Sequence, residues 1–176
     1  GHSPWNDDFS YDLMSEDLKE LFDKLNLNKV ILLGHSMGGK TAMTFASKYE
    51  DLLEKLIVVD IGIKQYPMHH NEILMGIKAI DLRPSLTRSD AEVSMSKFID
   101  SPGVRQFLLK NLYWNDKKEL AWRMNVESLE KNMEAILAPI VENQECLLPS
   151  LFIRGEKSNY ILDEDWDDIE NHFPDG

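Results

Sequence analysis

One stretch of the chain, residues 30–43, limits the possible folds more than any other and reads VILLGHSMGGKTAM. Its first four residues are apolar, the next five hold two glycines around a serine, and helix-forming residues follow. An apolar run that leads into a glycine turn and then into helix formers predicts a buried strand, a tight turn and a helix. This order is typical of an α/β fold with a parallel sheet.

The turn matches Gly-x-Ser-x-Gly, the pattern of a nucleophile elbow, in which a serine is held in strained backbone geometry. Side chains two residues either side of Ser36 would collide as the chain reverses, so we expect only small residues at Gly34 and Gly38. The turn would present the Ser36 hydroxyl at the carboxyl end of the strand. The helix N-terminus would direct the Met37 N–H at an oxyanion there.

The two glycines and the serine of the Gly-x-Ser-x-Gly pattern leave an alternative open. With glycine and serine each at about 7 per cent, they occur by chance in roughly one of twenty chains this long. A glycine-rich turn before a helix can instead bind phosphate through its free N–H groups. The strand before the turn and the helix directly after it favour Ser36 as a catalytic nucleophile.

Composition and charge argue against several classes of function. The formal net charge is −12, which would repel the phosphates of nucleic acid. No apolar run is long enough to span a bilayer, so we expect no membrane insertion. Cys146 is the single cysteine, so we expect a buried thiol, no intrachain disulfide and a reducing, cytoplasmic environment. The first residues do not read as a signal peptide. The acidic residues 163–168 read as the start of a solvated helix, and we expect neither a metal site nor a cofactor.

The flanking segments extend the α/β pattern. Ser10 is a predicted N-cap, and the apolar residues that follow it recur at three- and four-residue steps up to Leu25. The elbow helix should run from about 37 to 49 and turn Ala42, Phe45 and Ala46 toward the sheet. A second apolar strand, 54–60, ends at Asp60. A strand, a helix and a strand joined this closely predict a right-handed parallel crossover.

Residues 64–145 show helical periodicity and no run that reads as a strand. The predicted helical stretches are 69–81, 89–99, 102–112 and 126–137. Because this block separates two predicted parallel strands, we interpret it as a helical cap, or lid, inserted over the sheet. The predicted domains are a first part of the α/β core at 1–63, the cap at 64–146 and a second part of the core at 147–176. The second part is predicted to hold a strand at 147–154 and a helix at 163–172.

Large apolar residues of the block are expected in its interior: Ile73, Ile77, Ile80, Phe98, Phe107, Leu108, Tyr113 and Trp114. Ordinary core packing explains most of them. A few should line the cleft, and we predict that Phe107, Tyr113 and Trp114, with His35 of the elbow, bind substrate. The adjacent pair His69-His70 is read as exposed, and neither a catalytic role nor a metal site is assigned to it.

Six short segments along the chain carry a family resemblance. They are GHSMGGK at 34–40, VDI at 59–61, RQFLLK at 105–110, WR-x-NV at 122–126, LFIRG at 151–155 and SNY at 158–160. In these segments the chain resembles the YbfF-type esterases, a group of α/β hydrolases with a helical cap and with abhydrolase-domain relatives in mitochondria. The resemblance implies an α/β-hydrolase fold and a serine hydrolase that acts on small-molecule acyl esters or thioesters.

The acid of the expected catalytic triad is displaced from its usual place. A serine hydrolase needs an acid to orient its histidine, and most α/β hydrolases supply it as the last residue of Gly-x-x-Asp after the strand that follows the cap. Here that position holds Ser158. Asp60 ends the neighbouring strand instead, and the resemblance implies that it is the acid. The alternative for Asp60 is a turn or cap carboxylate.

The resemblance also implies parts that the sequence does not show. The catalytic histidine is expected beyond Gly176 and the second oxyanion donor before Gly1, so the chain reads as the middle of a hydrolase. His2 resembles a structural histidine of the family, and His35 should point away from Ser36. Two other functions remain open, a lyase or peroxidase with the same elbow, and a non-catalytic binding domain of the same fold.

Overall fold

The structure is a computed structural model that describes residues 4–67, 71–140 and 145–176. The chain forms two compact units. The sheet unit comprises Phe9–Tyr66 and Ala135–Gly176, and the helical unit comprises Gly1–Asp8 and Pro67–Glu134. The predicted division at 63/64 and 146/147 concerns the domains of a complete hydrolase and stays a prediction.

Along the described chain the elements are α1 (Tyr11–Leu25), β1 (Val30–His35), α2 (Met37–Tyr49), a 3-10 turn (Glu50–Leu52), β2 (Leu53–Val59), α3 (Asn71–Lys78), α4 (Arg88–Met95), α5 (Pro102–Leu109), β3 (Leu112–Trp114), β4 (Leu120–Trp122), α6 (Val126–Lys131), α7 (Met133–Leu137), β5 (Ser150–Ile153), a 3-10 turn (Asp163–Asp165) and α8 (Trp166–His172). The predicted elbow helix is confirmed at both ends.

The sheet unit contains a parallel sheet with strand order β1-β2-β5. His35 lies opposite Val59, and Val59 lies opposite Ile153, so the carboxyl ends of all three strands meet at one edge. The helix α2 packs on β1 and β2, and α1 packs on α2. The predicted parallel pairing of β1 and β2, joined through α2, is therefore confirmed, and the right hand of the crossover stays a prediction.

Local signals in the sequence explain where α1 and α2 lie. The Ser10 hydroxyl accepts a hydrogen bond from the Leu13 N–H at 3.0 Å, as expected of an N-cap. Ala42, Phe45 and Ala46 of α2 are buried, as predicted. Burying this face against the sheet supplies most of the helix's stability, because short helices are marginal on propensity alone.

The two faces of the sheet differ in exposure. Leu56 and Val58 are fully buried on one face. On the other, four large apolar side chains are 45% to 59% exposed: Ile31, Leu33, Leu151 and Ile153. A surface of this kind is unusual in a soluble domain, where contiguous exposed apolar patches are small.

The helical unit has its own apolar core. Its buried members are Ile77, Ile80, Leu86, Ala91, Met95, Ile99, Leu109, Leu112, Leu120 and Trp122. Three of its described helices, α4, α5 and α6, begin at side-chain caps. At α4 the Thr87 hydroxyl accepts from the Asp90 N–H at 3.1 Å, while the Asp90 carboxylate accepts from the Thr87 N–H at 3.0 Å.

The prediction that residues 64–145 contain no strand was wrong. β3 and β4 form an antiparallel hairpin, with Leu112 opposite Trp122. Its turn is closed by the Asn115 side-chain oxygen, which accepts from the N–H groups of Lys117 and Glu119 at 3.0 and 2.9 Å. Three-residue strands are too short to show a period of two, which explains the error.

Two of the predicted interior residues lie at the surface. Ile77 and Ile80 are buried, and Ile73, Phe98 and Leu108 pack against the core. Phe107 and Trp114, however, are 66% and 53% exposed, so the prediction of an interior position was wrong for both. Phe107 lies on the side of α5 away from buried Leu109, and Trp114 ends β3 beside the hairpin turn.

Within the described ranges, none of the helices combines the length and the apolar composition needed to cross a bilayer. Cys146 is buried, as predicted, and burial raises the pKa of its thiol.

Candidate active site

Ser36 occupies the single-residue junction between β1 and α2. Its backbone angles are φ 52° and ψ −125°, a conformation that a residue with a side chain seldom adopts. The Ser36 N–H donates to the Val59 carbonyl at 3.0 Å, and the Ser36 carbonyl accepts from the N–H groups of Gly39 and Lys40 at 2.7 and 3.2 Å. These bonds hold the strained turn, which the elbow pattern predicted.

The steric role of the glycines differs in part from the prediction. A Cβ at Gly34 would lie 2.2 Å from the Gly38 carbonyl oxygen, so no side chain fits there. A Cβ at Gly38 would meet nothing within 4 Å, so the expected restriction at Gly38 was wrong. The second close position is Gly39, whose Cβ would lie 2.4 Å from the Ile61 side chain. Gly39 is buried in the first turn of α2, which explains why the restriction falls there.

Met37 is the first residue of α2. The first N–H groups of a helix have no partner inside the helix, and they carry the positive end of the helix dipole. The Met37 N–H therefore has the chemistry of an oxyanion donor beside Ser36.

Asp60 follows β2 directly and lies next to the elbow, because β1 and β2 are paired neighbours. It has φ 55°, and its N–H donates to the Ile153 carbonyl at 2.7 Å. Its carboxylate oxygen Oδ1 accepts from the Gly155 N–H at 3.1 Å. The side chain is thus held at the edge where the three strands end, at a place suited to orient a histidine.

Ser158, at the usual position of the acid, belongs to a tight turn. Its N–H donates to the Gly155 carbonyl at 3.0 Å, and its hydroxyl accepts from the Tyr160 N–H at 3.2 Å. The Ser158 side chain therefore supports the loop after β5 and carries no charge that could orient a histidine.

The other predicted site residues fall in both units. His35 is exposed at the end of β1, in the sheet unit. Phe107, Tyr113 and Trp114 belong to the helical unit, and their contact with substrate stays a prediction. His2, His69 and His70 lie outside the described residues.

A groove of about 470 Å³ opens on the helical unit. Its lining includes Trp5, Tyr113, Trp122 and Met124. The Arg123 guanidinium lies 4.9 Å from the centre of the Tyr113 ring and fixes that ring from one side. Two acidic residues, Asp7 and Glu127, also line the groove, so its wall combines apolar and acidic groups.

Sequence reasoning missed Lys40, four residues after Ser36. Its side chain is only 1% exposed, and its ammonium donates to the carbonyls of Lys64, at 3.0 Å, and Ala138. Burial lowers the pKa of Lys40 to about 8. The one signal in the sequence was a lysine in the first turn of a helix that is otherwise apolar on its sheet side.

Comparison with known proteins agrees with this geometry. The family described as alpha/beta hydrolase fold matches residues 1–176. The chain is 36% identical over 180 residues to sn-1-specific diacylglycerol lipase ABHD11 of Danio rerio, an alignment that covers 99% of this chain and 56% of the relative. It is 32% identical over 179 residues to Esterase YbfF of Escherichia coli, with 99% of this chain and 67% of the relative covered.

A solved structure is also similar. The esterase of a marine microorganism superposes with a TM-score of 0.95 at 40% sequence identity, over 99% of this chain and 70% of that one. The chain spans little more than half the length of the diacylglycerol lipase and about two thirds of the length of YbfF. Since the family matches along the whole chain and the parallel sheet with its elbow is present, the chain belongs to the α/β-hydrolase family.

Proposed function

We propose that the protein is a serine hydrolase that cleaves carboxylic esters or acyl thioesters through an acyl-enzyme on Ser36. The observation that carries this proposal is the strained turn at Ser36, with φ 52° and ψ −125°. Such strain persists only where the surroundings fix it, and it is concentrated at active sites. Similarity to proteins named esterase and lipase supports an ester as the substrate.

In the proposed reaction the Ser36 hydroxyl oxygen attacks the acyl carbon while a histidine takes its proton. This histidine is the one that the family resemblance leads us to expect. The developing oxyanion is stabilised by the Met37 N–H, and the alcohol or thiol leaves with the proton from the histidine. Water then attacks the acyl-enzyme, releases the acid and restores the serine.

We assign Asp60 as the acid that orients this histidine. Two observations support the assignment: Asp60 follows the strand next to the elbow, and the Gly155 N–H holds its carboxylate. The usual acid position is occupied by Ser158, whose hydroxyl is used within its own turn. A carboxylate acts in this role by fixing the tautomer of the histidine and stabilising its charged form.

The acyl group is proposed to be partly apolar. Tyr113 lies in the groove of the helical unit, and Phe107 and Trp114 expose large aromatic surfaces that water contacts unfavourably. These three residues and His35 are the proposed substrate contacts. The predicted cap at 64–146 is proposed as the lid that carries Phe107, Tyr113 and Trp114.

The test uses a fluorophosphonate probe and short acyl esters and thioesters on the full-length protein. We expect rapid labelling of the wild type, ester hydrolysis, and loss of both in Ser36→Ala. Ser47→Ala is the matched control, because Ser47 lies on the same helix with its hydroxyl donating to the Met43 carbonyl at 3.1 Å. An unlabelled Ser36 in a folded protein would instead support a non-catalytic binding domain. Labelling without hydrolysis of either substrate would point to a lyase or a peroxidase.

We also infer a cytoplasmic location and no binding of nucleic acid. The single cysteine is buried and cannot form an intrachain disulfide, which suits a reducing compartment. The net charge of −12 opposes association with phosphates. Cell fractionation and a salt-dependent DNA-binding assay test the two statements.

A further inference from the structure

Lys40 is buried without a carboxylate partner. Lysine is almost never fully buried unless its charge is paired. Among the residues that the structure describes, no acidic side chain forms an ion pair with Lys40. Its ammonium instead meets two backbone carbonyls and the faces of two aromatic rings, those of Tyr66 at 4.9 Å and Tyr11 at 5.6 Å. These groups form a built site for one cation.

The two carbonyls come from the two segments by which the chain leaves and re-enters the sheet unit. The chain leaves the sheet unit after Tyr66, two residues beyond Lys64. It re-enters the sheet unit at Ala135, three residues before Ala138. The segments also bond to each other directly: the Tyr66 N–H donates to the Leu137 carbonyl at 2.9 Å. The Lys40 ammonium therefore joins three pieces of chain, namely α2 and both segments.

The rings of this site are themselves fixed. The Tyr66 hydroxyl donates to the Tyr160 carbonyl and accepts from the Gly62 N–H, both at 2.7 Å. The Tyr11 hydroxyl donates to the Ile136 carbonyl at 2.6 Å. Because both rings are held, the ammonium has one position, and so does the turn of helix that carries it.

That turn of helix is the one that follows the nucleophile. The N–H groups of Gly39 and Lys40 donate to the Ser36 carbonyl. A strained backbone relaxes unless several contacts hold it. We propose that Lys40 is a positioning residue for Ser36. The Lys40 ammonium anchors the first turn of α2 to the two segments by which the chain leaves and re-enters the sheet unit, and so preserves the reactive geometry of the serine. The proposal rests on Ser36 being the nucleophile.

The titratable groups around the ammonium are few. Tyr11 faces the ammonium from α1, and Tyr66 faces it from the segment by which the chain leaves the sheet unit. Burial raises the pKa of each tyrosine to about 12. Lys64 lies 5.8 Å from the Tyr66 ring and is paired with Asp165 at 2.5 Å. Between pH 7 and 10 both tyrosines stay neutral, so Lys40, with its pKa lowered to about 8, is the one of these three groups that changes charge.

The first test measures kcat and KM for a short acyl ester in the full-length protein. In Lys40→Met we expect kcat to fall by about 10- to 100-fold, because misplacing a reacting group by about 1 Å costs that much. At pH 7, KM should stay unchanged and the melting temperature should not fall, since replacing a poorly compensated buried charge by an apolar side chain is often neutral or stabilising. Lys48→Met is the matched control: it lies on the same helix, in surface ion pairs with Asp12 and Glu16, and should keep wild-type kcat.

The second test is the pH profile of fluorophosphonate labelling. In the wild type the labelling rate should fall through a transition near pH 8, as the ammonium loses its charge. Lys40→Arg keeps a cation at all these pH values, so it should recover part of the rate and lack this transition. If Lys40→Met does not fold, Lys40→Gln and the wild-type profile still decide the question.

Two results would overturn the proposal: wild-type kcat in Lys40→Met, whatever its KM and melting temperature, or a wild-type labelling rate that stays flat from pH 7 to 10. Ser36→Ala separates this failure from failure of the proposed function. If Ser36→Ala is active, the nucleophile itself is wrongly assigned. If Ser36→Ala is inactive while Lys40→Met is fully active, only the role of Lys40 is refuted.

Discussion

Lys40 should make the stability of the protein rise with pH in a range where most proteins lose stability. Its folded-state pKa is about 8, against an ordinary value of 10.5. Between these values the unfolded chain holds a proton that the folded state has released, so the free energy of unfolding increases with pH. At about 1.4 kcal/mol for each pKa unit, the full effect is about 3 kcal/mol. About 2 kcal/mol of it should appear between pH 7 and pH 10.

The assay is urea unfolding of the full-length wild type and of Lys40→Met at pH 7, 8, 9 and 10. The free energy of unfolding of the wild type minus that of the variant should rise by about 2 kcal/mol across this range. The upper limit is chosen because Tyr11 and Tyr66, with pKa values raised to about 12 from 10.0, contribute stability that is lost above pH 10. The subtraction removes most other titrations, which the two proteins share.

Lys48→Met is the control for the direction in which the free energy of unfolding changes with pH. The ion pairs of Lys48 raise its pKa, so its contribution to stability is lost as pH rises, the opposite direction, and surface exposure keeps it small. A wild-type minus Lys40→Met difference that is flat or falls with pH would refute the reasoning. It would mean that the two carbonyls and two rings compensate fully for the lost hydration of the ammonium.

Two further predictions concern the elbow and the acid. Gly34→Ala should destabilise the protein by about 3 kcal/mol or more, because its Cβ would lie 2.2 Å from a backbone oxygen. Gly38→Ala should be neutral or stabilising by up to about 1 kcal/mol, because its Cβ would meet no atom within 4 Å. Thermal unfolding measures both variants, and equal losses of stability would contradict the geometry. Asp60→Asn should lower kcat by up to about 10⁴-fold, while Asp163→Asn, which removes a surface ion pair with Arg154, should leave it unchanged. Steady-state ester hydrolysis checks this pair, and equal losses, or a loss at Asp163 alone, would contradict the assignment of the acid.

The sheet unit was predictable because its signals are local and strong. Four apolar residues before a glycine turn and a helix at once after it are sufficient to place β1, Ser36 and α2. The position of Asp60 follows from the crossover rule alone, which makes β1 and β2 neighbours and brings their ends together.

What escaped prediction depends on contacts between distant residues. The carbonyls that bind Lys40 lie 24 and 98 residues further along the chain, so no local pattern shows a buried ammonium. Gly38 and Gly39 are equivalent in sequence, and only the direction in which α2 meets β2 decides that the second one is restricted. The hairpin β3–β4 is too short for periodicity, and it ends α5 earlier than helix propensity suggests.

The hydrogen bond from Gly155 to Asp60 bears on whether the proposed catalytic acid can be moved to the loop after β5. It joins the end of β2 to the loop after β5. An ideal Cβ on Gly155 would lie 3.3 Å from the Ser158 Cβ and 3.7 Å from the Asp60 carboxylate, so the two acid positions flank one residue. With Asp60 as the proposed acid, a carboxylate introduced at position 158 would therefore lie on the other side of Gly155. Asp60→Asn combined with Ser158→Asp, compared with Asp60→Asn alone, would show whether position 158 can supply the acid instead.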